Sequence, residues 1–109
     1  MDYDTQIASL KNLIAKYEKD LVNAQRAVDF SNQQIDSIRK NKDLVQSGVV
    51  IDESDLALAQ FEALEASAVA NRDDIVNGVI PGINNRIREI REKIVELEVA
   101  AAAEAADEE

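Results

Sequence analysis

Residues 3–45 read YDTQIASLKNLIAKYEKDLVNAQRAVDFSNQQIDSIRKNKDLV, and this stretch decides the fold. Tyr3, Ile7, Leu10, Ile14, Tyr17, Leu21, Ala24, Val28, Ser31, Ile35, Ile38, Lys42 and Val45 follow one another at alternating steps of four and three. Only Ser31 and Lys42 interrupt an otherwise apolar ladder. Such spacing places one residue in each turn on a single seam of an α-helix, the pattern of coiled-coil packing. Polar residues on a seam can fix register or oligomeric state, and Lys42 can also snorkel to solvent near the helix end.

A second ladder answers the first. Val76, Ile80, Ile83, Ile87, Ile90, Ile94 and Leu97 keep the same alternation. Upstream, Ala57, Phe61, Leu64, Ala68, Asn71 and Ile75 form a track offset by one residue from the track that starts at Val76. A phase shift of this kind resembles a stutter, which changes the supercoil locally. The fold class is therefore all-α, a coiled-coil type of antiparallel helical hairpin in a single domain spanning residues 1–109.

The boundaries follow from end signals. A first helix is expected over 3–46, with Asp2 and Asp4 at the positive end of its dipole. Ser47-Gly48 stops it, and 47–52 form a turn. Asp52 caps a second helix, with Asp55 three residues on and Ile51 and Leu56 as a hydrophobic staple. This helix should run over 53–105, with an acidic tail at 106–109 that frays. A short link makes the helices antiparallel neighbours. Numbers summing to about 100 then set Val76 near Ala24, Ile87 near Ile14 and Ile94 near Ile7. Pro81 removes a backbone bond and crowds the carbonyl of Asn77, so the second helix is kinked or broken at 77–82. The seam from Val76 through Ile80 to Ile83 keeps its register across the proline, which favours the kink.

Composition narrows function further. The chain has 109 residues, 22 acidic and 12 basic, with a formal net charge of −10 and neither His nor Cys. A Cys–His pair or a Ser–His–Asp triad is thus impossible within it, and no enzymatic activity is expected. Glu62 with Glu65, Glu89 with Glu92, and Glu92 with Glu96 share helix faces, but the Glu-x-x-His step of di-iron bundles is missing. Gly78 and Gly82 are not followed by the Lys-Ser/Thr of a phosphate-binding loop. No metal and no cofactor are expected. No apolar run approaches the roughly 20 residues of a membrane span, and the N-terminus lacks the pattern of a signal peptide. A cytoplasmic location, or one within a macromolecular assembly, is expected.

Residues 52–74 hold seven acids against Arg72 alone, and 99–109 add four more acids. Such fields repel a phosphate backbone, so no direct nucleic-acid partner is expected. Arg86, Arg88, Arg91 and Lys93 form the one dense basic cluster, spaced for intrahelical pairs such as Glu89–Lys93 and Arg88–Glu92.

A lone hairpin buries one stripe per helix, little against an ordering cost of about 1.5 kcal/mol per residue. Leu13, Val22, Phe30, Leu44, Leu58, Val95 and Val99 lie off the seam and are expected to face another copy or another protein. Val49, Val50 and Ile51 at the turn either close the end of the bundle or dock into a partner. Glu62, Glu65, Asp73 and Asp74 are the partner-facing candidates of the acidic band.

The hairpin resembles that of prefoldin subunits, but the Ser47–Asp52 link is too short for their central β-hairpins. In size, acidity and helical pattern the chain is similar to small viral assembly and virion proteins. That likeness implies a structural role in a multi-subunit assembly. Two functions stand. One is a non-catalytic structural or assembly component acting through helix–helix contacts, as a homo-oligomer or with another protein. The other is a small acidic inhibitor or adaptor that binds a basic surface of a nucleic-acid-binding protein.

Overall fold

The computed structural model describes residues 2–47 and 54–108. Among them the chain is all-helical, with two long helical stretches and no strand. Helix α1 spans Tyr3–Gln46, α2 Ser54–Asp74 and α3 Ile80–Glu108. A π-helical turn, Ile75–Val79, joins α2 to α3. Residues 48–53, including Val49, Val50, Ile51 and the expected cap Asp52, lie outside the described residues.

Local chemistry sets the ends. Asp2 Oδ1 accepts a hydrogen bond from the Thr5 backbone N–H at 3.1 Å, which caps α1. Hydrogen bonds from Thr5, through its side chain and its backbone, hold the Asp2 carboxyl below its usual value. At the other end the Ser47 N–H donates to the Asp43 carbonyl at 2.9 Å, and its hydroxyl donates to the Leu44 carbonyl at 2.9 Å. These bonds satisfy carbonyls that the last turn leaves open. The helix α3 continues to Glu108, beyond the expected end at 105. Alanine, the best helix former, dominates its last turns and outweighs the unfavourable acids there.

No residue between Ser54 and Glu108 leaves a helical conformation, and Pro81 stands in the first turn of α3. The π turn lies just ahead of it and includes Asn77, the residue whose carbonyl an α-helical proline would crowd. It also accounts for the phase shift. The last half-buried residue of the turn is Ile75, the next along the chain is Ile80, and Val76 is 42% exposed. A π turn closes i→i+5 bonds, so a five-residue step takes the place of a four-residue one. The expected seam through Val76 is thereby corrected to one through Ile75.

The chain divides into two compact units. One comprises Met1–Asn23 and Ile80–Glu109. Here Tyr3, Ile7, Leu10, Ile14, Tyr17 and Leu21 are half-buried, and Ile87, Ile94 and Leu97 of α3 are buried. Glu18 pairs with Arg91 at 3.6 Å, and the Tyr3 hydroxyl donates to Glu104. The residue nearer the start of α1 thus meets the one nearer the end of α3.

The other unit is Ala24–Val79. Its core holds Ile35, 1% exposed, with Val45, Ala68 and Ser31. Asn32 meets Arg72 and Arg39 meets Glu65, so the order of partners is again reversed. All thirteen residues of the α1 ladder are buried or half-buried. In α2 the inward positions include Phe61, Glu65, Ala68 and Arg72, followed by Ile75 of the π turn, while Leu64 and Asn71 are exposed. The α2 track drawn through Leu64 and Asn71 is corrected accordingly.

Candidate functional site

The inward charges of α2 are held by α1. Glu65 Oε2 accepts from Arg39 Nε at 3.3 Å, and its Oε1 lies 3.6 Å from Lys42 Nζ. Lys42 and Glu65 side chains are only 19% and 23% exposed. Lys42 therefore does not snorkel to solvent; a carboxylate on the facing helix holds it at the seam. One heptad along, Arg72 donates to Asp73 Oδ1 at 3.2 Å and to Asn32 Oδ1 at 3.1 Å. Ser31, beside Asn32, is buried, and no buried side-chain nitrogen or oxygen among the described residues lacks a hydrogen-bond partner.

The acidic candidates accordingly separate. Glu65 and Asp73 are engaged by cations of their own unit, whereas Glu62 and Asp74 are exposed. The basic cluster of α3 is engaged as well. Arg88 pairs with Glu92 at 3.9 Å, the expected i,i+4 contact. Arg86 takes Glu89 at 3.8 Å and Lys93 takes Glu96 at 3.5 Å, in place of a Glu89–Lys93 pair. Pairs at such exposure contribute tenths of a kcal/mol each. No cluster of three potential metal-ligating side chains occurs among the described residues.

Of the apolar candidates, Phe30 is 60% exposed and Leu13 37%. Val22, Leu44, Val95 and Val99 are exposed as well. Leu58 is half-buried, so it belongs to the edge of the α2 seam and not to an outer face. The Val49–Ile51 tip lies outside the described residues. Periodicity alone missed Leu56, Leu64, Val76 and Val79, all exposed. Leu64 and Val76 were hidden because each sits one residue from the true seam.

Phe30 and Leu64 come together. They line a groove of about 440 Å³ with Gln33, Gln34, Ser37 and Ile38. An adjoining groove of about 240 Å³ runs over Gln34, Ile38, Leu64, Ser67, Ala68 and Asn71. In the other unit Thr5, Gln6, Ser9, Leu10, Lys93 and Leu97 line a groove of about 340 Å³. None of these concavities holds a nucleophile paired with a base. No helix among the described residues is long and apolar enough to cross a membrane. Comparison with protein-family models, with characterised proteins and with solved structures finds no match.

Proposed function

We propose that this protein is a non-catalytic structural or assembly component. In each unit its helices pack as an antiparallel coiled-coil pair, bent near Pro81, and their outer faces associate with further helices. The observation that carries this reading is the balance of apolar side chains. Among the described residues six hydrophobic side chains are buried, while ten large ones are exposed. Each large aliphatic or aromatic side chain contributes about 1.5–3 kcal/mol when fully buried. The ten exposed side chains, with fifteen other large ones only half-buried, gain further stabilisation of this kind on association.

The reading as an acidic inhibitor has less support. Glu65 and Asp73 already neutralise Arg39, Lys42 and Arg72 within the chain, which leaves the acidic band weaker than its composition implies. Light scattering over a concentration series tests the proposal. The expected result is a molar mass that rises above 12.0 kDa with concentration. A 12.0 kDa monomer at all concentrations, with a high melting temperature, overturns it.

A further inference from the structure

We infer that one face of the Ala24–Val79 unit docks against the same face of a second copy, related by a two-fold axis. This rests on the assembly reading above and locates the contact it requires.

The unit is lopsided in charge. Its ion pairs, Arg39 and Lys42 with Glu65 and Arg72 with Asp73, occupy one flank of the seam. The opposite flank carries none. On α1 it consists of Phe30, Gln34, Ser37, Asn41 and Leu44, spaced four, three, four and three, each one residue before a ladder position. On α2 it runs through Gln60, Leu64, Ser67 and Asn71, at the same alternation, and ends at the exposed Asp74. Asp74 apart, all nine are exposed and all nine are uncharged, in a chain of which 31% is charged. The two rows share walls, since Phe30, Gln34 and Ser37 line one groove with Leu64, and Gln34 lines the next with Leu64, Ser67 and Asn71.

Electrostatics selects the occupant. A charged partner finds no counter-charge along this strip short of Asp74 at its end. A second copy, bearing its own −10, is repelled everywhere that charge is presented, and least where both surfaces are neutral. Shape agrees with a two-fold contact, in which one patch must supply both knob and hole. Phe30 projects at 60% exposure, and the groove beside Leu64, about 240 Å³, accepts a ring from the partner copy. The strip from 30 to 44 is roughly 20 Å long and two helices wide, about 400 Å² per copy. That is the size of a weak, concentration-dependent contact rather than an obligate one.

The test is sedimentation equilibrium on the full chain and two variants. Leu64→Glu places a carboxylate in the strip and should weaken self-association at least about tenfold. Asn85→Glu charges an exposed residue outside this unit and should leave the association unchanged. Added salt should strengthen the wild-type contact by screening the repulsion between copies. The chain has no cysteine, so single variants Ser37→Cys and Ser67→Cys report proximity directly. Oxidised as a mixture, they should form a 37–67 cross-link between copies, and an Asn85→Cys variant should not join them. That readout decides the matter even if Leu64→Glu loses helicity. An oligomer unaffected by Leu64→Glu, or lacking the cross-link, overturns this interface and leaves the assembly reading in place. A strict monomer overturns both.

Discussion

Lys42 and Glu65, 23 positions apart in the chain, meet at 3.6 Å with both side chains largely withdrawn from solvent. A backbone register summing to about 100 would set Lys42 level with Leu58. The tips meet further along, in the sense expected of long side chains that lean towards the helix N-terminus. In two helices that run oppositely, both leans bring together residues whose backbones have already passed each other. The pairs Arg39–Glu65, Asn32–Arg72 and Glu18–Arg91 are displaced in the same sense.

A partly buried ion pair costs more to break than it contributes when made. Glu65→Ala should destabilise the fold by about 1–3 kcal/mol, since it leaves Lys42 without its partner at the seam. The double variant Lys42→Leu/Glu65→Leu should regain or exceed wild-type stability. Urea denaturation of the wild type, Glu65→Ala and the double variant checks this, and a double variant no better than Glu65→Ala would show that the pair is a net stabiliser.

The corrected seam makes a paired prediction at the π turn. Ile75 is half-buried and its neighbour Val76 is exposed. Ile75→Ala should lower stability by about 1–2 kcal/mol, and Val76→Ala by less than about 0.5 kcal/mol. The reverse order in thermal melts would restore the seam through Val76.

Gly82 lies in the first turn of α3, and a Cβ built there meets nothing within 4 Å. Neither a close approach nor a special backbone conformation within the chain requires glycine. Gly82→Ala should raise stability by about 0.5–1 kcal/mol through reduced freedom of the unfolded chain. A lower melting temperature would mean that another surface approaches this position.

The Tyr3 hydroxyl donates to the Glu104 carboxylate, which keeps the phenol protonated above its usual value. The sign follows from linkage. The bond's contribution is complete below the ordinary tyrosine pKa of about 10 and is lost as pH rises through the raised value. In a Tyr17→Phe background, ultraviolet titration reports Tyr3 alone. Glu104→Gln should move that titration to lower pH, and an unchanged curve would remove the link between the two termini of this unit.

Much of α1 was legible in the sequence because its seam is built from isoleucine, leucine and tyrosine set against polar residues, a contrast that periodicity reads directly. The helix α2 was less so. It is rich in alanine on every side, and two of its inward positions are Glu65 and Arg72, which a search for apolar spacing skips. Their place follows from partners on α1 that only the folded chain brings near. The five-residue step from Ile75 to Ile80 was visible as an offset, but an isoleucine and a valine side by side gave two equal candidates for the seam. The neutral strip was hidden for a different reason. Its members mix Phe, Leu, Gln, Ser and Asn, apolar with polar, and what unites them is the absence of charge on a surface shared by two helices.

Everything in this account depends on two helices of one chain lying side by side in opposite directions. Spin labels at Glu18→Cys and Arg91→Cys, diluted with unlabelled protein, measure this by pulsed dipolar spectroscopy. The account predicts a separation of roughly 20 Å or less, set by an 8–10 Å spacing of helix axes and two label arms. A separation well beyond ~50 Å, towards the ~110 Å of 73 residues in one extended helix, would contradict it.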